Sequence, residues 1–355
     1  MSKDRIRVLV VDDSALMRKL IPQMLAADDS IEVVGTAMDG TFCLKKIEDL
    51  RPAVVTLDLE MPGMNGIDTL KEIMRHRPVP VIVFSSHSVE GASITMKALA
   101  WGAFDFVAKP KDATVHMAET AKELIAKVKA AAECNLKARI LARSSPRPQK
   151  PAPSAVTPTK IVAIGISTGG PQALEYVFTQ LPGNFPGTIL VVQHMPEGFT
   201  GMFARRLDEL SPLRVKEAQS GDVLQAGRVL ICPGSRHMRA KRLPAGDMAV
   251  LGDEPSVNGH RPSADVLLRS VAEEFKAQAV GVLMTGMGDD GAAGLGAVKQ
   301  AGGLTIAQSE DSCVVYGMPK AAIERGYAQR VVALDAMAQT LQAVCGFYET
   351  KRTGN

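Results

Sequence analysis

Two sets of reactive side chains lie on either side of a proline-rich joint: Asp12, Asp13, Asp58 and Lys109 before it, Ser167, His194 and Asp290 after it. Three carboxylates converging on one point repel unless a hard cation joins them, and Mg²⁺ takes oxygen ligands of this kind. An ammonium from Lys109 would neutralise a phosphoryl group placed there, and the Ser85 hydroxyl could hydrogen-bond to it, so phosphorylation of Asp58 is sensible chemistry. The plainer reading of Asp12 and Asp13 is that they cap a helix beginning near Ser14, which leaves Asp58 and Lys109-Pro110 unexplained. In the second set, a serine, a histidine and a carboxylate suit nucleophilic acyl transfer, with the carboxylate orienting the histidine. An acidic pocket and a separate nucleophile constellation read as a switch fused to an enzyme.

The elements that position these groups follow from apolar runs alternating with amphipathic stretches. Arg7–Val11, Ala53–Leu57, Val79–Phe84 and Phe104–Ala108 read as buried strands, and Ser14–Leu25 as a helix. Strands apolar on both faces and separated by helices imply a parallel sheet covered on both sides. Sites in such sheets form beyond the carboxyl ends of the strands, where Asp12, Asp13, Asp58, Ser85 and Lys109 all fall. After the joint, Lys160–Gly165 is a strand that breaks on Gly165-Ile-Ser-Thr-Gly-Gly170 before Pro171 opens a helix whose apolar face is Leu174, Val177, Phe178 and Leu181. Ser167 therefore sits at a strand-to-helix turn beside free backbone N–H groups and a helix dipole. A phosphate-cradling loop is the competing reading of those glycines, although neither a Rossmann spacing nor a P-loop lysine is present. Thr188–Gln193 delivers His194 at a second strand end, and Ala279–Met284 leads into Thr285-Gly-Met-Gly-Asp-Asp-Gly-Ala292. There Asp289 or Asp290 would orient the histidine, or merely cap the following helix.

With 355 residues, two domains are expected, each with its own core. A composition of 46% hydrophobic and 22% charged residues excludes a mainly disordered chain, and the net charge of +3 does not point to nucleic acid. The five cysteines are odd in number and lack zinc-type spacing, as expected of reduced thiols. With no long apolar run and no signal-type start, a soluble cytoplasmic protein is expected. The stretch from Arg143 to Pro158 reads as an extended linker; no acidic residue occurs between Glu133 and Glu175, so it and its flanks carry Lys137, Arg139, Arg143, Arg147, Lys150 and Lys160 uncompensated.

The runs Val10-Val-Asp-Asp-Ser14, Leu57-Asp-Leu-Glu-Met-Pro-Gly-Met-Asn-Gly66, Phe84-Ser-Ser86 and Lys109-Pro110 resemble a two-component receiver domain. The resemblance implies that Asp58 accepts phosphate from a histidine kinase and that Asp13, Asp58 and the Glu60 carbonyl bind Mg²⁺ with Asp12 nearby. It also implies that Ser85, Phe106 and Lys109 act as switch residues, with a plain core role for Phe106 as the alternative. Gln193-His-Met-Pro196 together with Gly286-Met-Gly-Asp-Asp-Gly291, supported by Phe199–Leu207, Cys232-Pro-Gly234, Arg261–Asp265 and Val315–Pro319, resembles the catalytic domain of the chemotaxis protein-glutamate methylesterases, the CheB family. The expected organisation is a flavodoxin-like receiver with a five-stranded parallel sheet over 1–125, a linker over 126–159, and a doubly wound, mostly parallel α/β esterase domain over 160–347.

This second resemblance implies Ser167 as nucleophile, His194 as general base and Asp290 as its orienter, with Thr168 and Met287 backbone amides as the oxyanion hole. It implies hydrolysis of glutamyl methyl esters on chemotaxis receptors, deamidation of receptor glutamines, and no cofactor for the esterase step. Arg205, Arg206 and Arg261 are candidates for contact with acidic receptor helices. The architecture further suggests a receiver that covers the esterase cleft until phosphorylated, or one that activates only through contacts made when phosphorylated. A phospho-regulated DNA-binding protein is disfavoured, since the second half lacks a helix-turn-helix unit with a basic recognition helix. A non-catalytic scaffold is the remaining alternative.

Overall fold

A computed structural model describes residues 5–86, 88–109, 117–133, 150 and 157–346. The chain divides into two compact units, Met1–Arg143 and Ser144–Asn355.

In the first unit, strands β1 (Ile6–Val11), β2 (Ile31–Ala37), β3 (Val54–Asp58), β4 (Val81–Ser85) and β5 (Asp105–Ala108) form a parallel sheet in the order β2-β1-β3-β4-β5. The interleaved helices are α1 (Met17–Leu25), α2 (Gly40–Leu50), α3 (Gly66–His76), α4 (Val89–Ala100) and α5 (Met117–Glu133). β3 and β4 are buried at every position, as a central strand covered on both faces requires. β2 is an edge strand with an exposed Glu32 and a glycine, so its sequence carries the weakest strand pattern of the five. α1 begins at Met17 rather than Ser14, because the preceding turn is closed by Asp12 and Ser14 side chains accepting the amides of Ser14 and Met17. α5 continues past residue 125 to Glu133 and buries Leu124, Val128 and Ala131, so the helix, not a linker, occupies 126–133. Most of the joint, 134–149 and 151–156, lies outside the described residues.

The second unit is built on a seven-stranded parallel sheet, β14-β13-β12-β6-β7-β9-β8. Its strands are β6 (Ile161–Ile166), β7 (Thr188–Gln193), β8 (Arg214–Glu217), β9 (Arg228–Ile231), β12 (Ala279–Leu283), β13 (Leu304–Gln308) and β14 (Arg330–Val332). The covering helices are α6 (Gly170–Thr179), α7 (Phe199–Leu210), α8 (Ala264–Phe275), α9 (Ala292–Gln300), α10 (Met318–Glu324) and α11 (Leu334–Val344). A separate antiparallel ribbon, β10 (His237–Leu243) with β11 (Gly246–Gly252), packs through β10 on α8. β6 is the first strand of the sheet, β7 lies on one side of it and β12 on the other. Their carboxyl ends therefore meet at the topological switch point where α/β sheets place ligands.

Close approach of α8 to this switch point depends on Gly165. A Cβ on Gly165 would lie 2.6 Å from the Ala264 Cβ and 2.8 Å from Leu283 Cδ2. The first turn of α8 can thus sit directly against the end of β6. Replacing Gly165 by valine overpacks this contact and should destabilise the second unit by about 1–3 kcal/mol. Hydrogen exchange at the Ala264 and Asp265 amides reads the effect, with faster exchange expected in the variant.

Candidate functional site

Ser167 follows β6 directly, and its backbone is tied on both sides. Its N–H donates to the Thr285 carbonyl at 3.0 Å, and its carbonyl accepts from Gly170 N at 2.8 Å and Gln193 Nε2 at 3.0 Å. Gly169 has φ 76°, which lets the chain turn into α6, and a Cβ on Gly170 would lie 2.0 Å from Gln193 Oε1. The two glycines therefore let the buried Gln193 side chain reach under the serine turn. Thr285 braces the same turn: its hydroxyl donates to the Thr168 carbonyl at 2.9 Å and accepts from Val315 N at 2.9 Å. The amides of Thr168 and Met287 have no acceptor among the described residues, and both lie in the loops flanking Ser167.

His194 directly follows β7, its own N–H donating to the Ile166 carbonyl at 3.1 Å, one residue before Ser167. Its Nε2 lies 2.9 Å from Asp290 Oδ2, while Nδ1 is buried and without a partner among the described residues. An ionised carboxylate can only accept, so Nε2 carries a proton, and in the neutral ring Nδ1 is left with the lone pair. The Ser167 hydroxyl is not hydrogen-bonded to His194 in this structure; catalytic contacts of this type commonly close only with substrate in place.

Asp290 is buried, and its carboxylate is a hub. Oδ2 also accepts Ala264 N at 2.7 Å, and Oδ1 accepts Ser263 Oγ at 2.6 Å, Asn258 Nδ2 at 3.3 Å and Asp265 N at 3.4 Å. Burial pushes its pKa up, but the hydrogen bond and charge of His194, then Ser263 and the Ala264 amide, outweigh it and hold the group at about 2. Two of the donors are first-turn amides of α8, so a helix N-terminus stabilises the charge. Asp290 therefore does not cap its own helix α9; it sits on the N-terminus of α8. Asp289 points away, exposed and paired with Arg325. Sequence reasoning gave no role to Asn258, Ser263, Thr285, Gln193 or His260. His260 stacks on His194 with ring centroids 4.0 Å apart and planes within 6°. The Asn258-Gly259 dipeptide, a strong hairpin signal, was the cue that could have placed that loop.

The candidate receptor-contact arginines are partly committed: Arg206 pairs with Glu175, and Arg261 donates to the carbonyls of Asp253 and Glu254, while Arg205 is exposed.

In the first unit, Asp12, Asp13 and Asp58 can bring ligand oxygens within 4.8 Å of one another. Asp12 and Asp58 are buried and Asp13 is exposed. Lys109 Nζ lies 2.6 Å from Asp58 Oδ2 and 3.4 Å from Asp12 Oδ2. Burial raises the Asp12 pKa against the lowering effect of Lys109. Burial works against the Lys109 ammonium, yet Asp58 and Asp12 together raise its pKa. Asp12 does not cap α1, whose N-cap is Leu16; its Oδ1 accepts the Ser14 amide at 2.9 Å and closes the turn before the helix, while its buried Oδ2 has Lys109 Nζ 3.4 Å away and accepts no hydrogen bond among the described residues. The Glu60 amide donates to Asp58 Oδ1 at 3.2 Å. The Ser85 hydroxyl is engaged with α4, accepting from Thr95 Oγ1 at 2.6 Å and lying 3.2 Å from the Gly91 carbonyl. Phe106 is buried, with Lys127 Nζ 5.3 Å from its ring centroid. Pro110 lies outside the described residues.

Comparison with known proteins bears on both units. The profile of the CheB methylesterase family matches residues 162–341, and that of the response regulator receiver domain matches residues 8–122. A protein-glutamate methylesterase/protein-glutamine glutaminase 2 of Koribacter versatilis (strain Ellin345) is 60% identical over 346 residues, 95% of each chain. A protein-glutamate methylesterase/protein-glutamine glutaminase of Pyrococcus abyssi is 45% identical over 343 residues, 95% of this chain and 93% of the relative. The crystal structure of the Thermotoga maritima CheB methylesterase catalytic domain superposes with a TM-score of 0.52 at 43% identity, covering 53% of this chain and 100% of that one. No helix among the described residues is long and apolar enough to cross a membrane. A serine turn, a histidine–aspartate pair at the switch point of a parallel sheet and an N-terminal acidic pocket thus coincide with matches along nearly the whole chain, which belongs to the CheB family of protein-glutamate methylesterases and carries a response-regulator receiver domain.

Proposed function

We propose that this chain is a phosphorylation-activated protein-glutamate methylesterase that hydrolyses glutamyl methyl esters on chemotaxis receptors in the cytoplasm and deamidates receptor glutamines by the same machinery. The observation that carries the reading is the pairing of the buried Asp290 with His194, whose unpartnered Nδ1 lies one strand over from the Ser167 turn.

The chemistry follows from the proton positions. His194 Nδ1 takes the Ser167 hydroxyl proton as Oγ attacks the ester carbonyl, and Asp290 stabilises the imidazolium through Nε2–H. The tetrahedral oxyanion is met by the amides of Thr168 and Met287, each donor worth roughly 10²–10³ in rate. Collapse breaks the C–O bond to the methoxy group, and the proton on His194 passes to it, releasing methanol. Water, deprotonated by the same nitrogen, then attacks the acyl-enzyme; the acyl–Oγ bond breaks, and glutamate and free Ser167 are restored. With a glutamine amide the leaving group is ammonia, a harder departure because its nitrogen must be protonated.

In the receiver, the all-oxygen donor set and the unbonded Asp12 Oδ2 fit a hard cation. Asp12, Asp13, Asp58 and the Glu60 carbonyl would hold Mg²⁺, which supplies charge neutralisation for phosphoryl transfer from a histidine kinase. Asp58 accepts the phosphoryl group, and Lys109 shifts its ion pair onto it. Ser85 reaches that group only by releasing the Gly91 carbonyl in the first turn of α4, which couples phosphorylation to that helix.

Methanol release from a methylated receptor should vanish in Ser167→Ala and rise with a small phosphodonor and Mg²⁺ in the wild type, and Asp58→Asn should remove the rise. Asp290→Asn should lower kcat about 10⁴-fold, the scale for an orienting carboxylate replaced by its amide. Because the folded-state pKa of Asp290 is depressed to about 2, its contribution, about 2 kcal/mol, is present above the ordinary carboxylate pKa and lost as pH falls toward 2. Acid unfolding of Asp290→Asn should therefore lack that part of the pH dependence between about pH 4 and 2, measured by urea titration at each pH.

A further inference from the structure

A single hydrogen bond from Nε2 to Asp290 leaves the His194 ring free to rotate about that bond, which would swing Nδ1 away from Ser167. His260 closes this freedom. Its ring lies parallel to that of His194 at 4.0 Å and occupies the space through which the imidazole would turn. His260 is itself held by a tight hairpin: Val257 and His260 exchange both backbone hydrogen bonds, at 3.0 and 2.9 Å. The two residues between them, Asn258 (φ 52°) and Gly259 (φ 77°), take the left-handed conformations that such two-residue turns need.

The same hairpin grips the carboxylate. Asn258 Nδ2 donates to Asp265 Oδ2 at 2.8 Å and to Asp290 Oδ1 at 3.3 Å. Its base is pinned by the buried His237, which accepts the Ser263 amide at Nδ1 (3.2 Å) and reaches the Pro255 carbonyl through Nε2 (3.1 Å). Ser263 in turn donates to Asp290. One loop, 255–263, thus touches both members of the acid–base pair and is tied down at both ends.

We propose that the Val257–His260 hairpin is a positioning clamp for the catalytic pair, with His260 fixing the plane of the His194 ring by stacking and Asn258 fixing the Asp290 carboxylate. The proposal rests on the reading of His194 as general base. It makes His260 a positioning residue that acts through the face of its ring.

The test uses the full chain with His260→Ala, His260→Leu and His260→Phe. Steady-state methanol release should show kcat lowered about 10–100-fold in the alanine and leucine variants with KM within about a factor of two, and kcat largely restored by phenylalanine. Imidazole ¹⁵N–¹H correlation spectra, with the His194 signals identified by their loss in His194→Gln, should show a sharp Nε2–H signal in the wild type and in His260→Phe, and one broadened by ring motion in His260→Leu. A leucine variant equal to wild type in both measurements, or a phenylalanine variant as slow as alanine, overturns the clamp while Ser167-dependent release leaves the esterase reading standing. Absence of release from the wild type, with the broadening in His260→Leu still seen, overturns the esterase reading and leaves the clamp.

Discussion

The second unit is organised around one buried negative charge. A carboxylate removed from water is costly unless every lone pair is matched, and Asp290 is matched from four directions: a ring nitrogen, a hydroxyl, backbone amides of α8 and a carboxamide. The partners come from two stretches of the chain, the residue after β7 and the segment 258–265, so the charge fixes where β7 ends, where α8 begins and how the 255–263 loop folds back. Gly165 belongs to the same arrangement, since a side chain there would hold the first turn of α8 away from the end of β6 and so its amides away from Asp290.

All the donors to Asp290 are in place without substrate, so in the proposed mechanism the imidazolium formed during attack would meet a fixed partner with no water to reorganise. The receiver uses the opposite device. There the acidic cluster is held in incomplete balance by Lys109, with Asp12 Oδ2 left without a hydrogen bond, and in the proposed function an added cation and phosphoryl group would complete it. One unit is built to hold a charge pattern constant, and the other to have it changed.

Much of this was legible in the sequence because strand ends are easy to read. Apolar runs ending at Asp58, Ser167 and His194 place those groups at carboxyl edges, and parallel topology brings such edges together. The choice of Asp290 over Asp289 rested on likeness to the family; the physical reason, amides of α8 reaching one and Arg325 the other, lies in contacts 26 and 36 residues distant in the chain. The edge strand β2 was missed in the residue pattern because half-exposed positions blur its periodicity, and the first domain was ended too early because α5 has the same helical period on both sides of residue 125. His260 and Asn258 escaped because neither lies at the end of a sheet strand; their place is set by a two-residue turn whose signal says hairpin but not against what.

The central claim, that a preformed Asp290–His194 pair activates Ser167, is tested most directly by the rate at which an organophosphonate labels the enzyme, read by peptide mass spectrometry. The account predicts one adduct, on Ser167, formed about 10³–10⁴-fold more slowly in Asp290→Asn. Labelling at another residue, or equal rates in the two proteins, would contradict it.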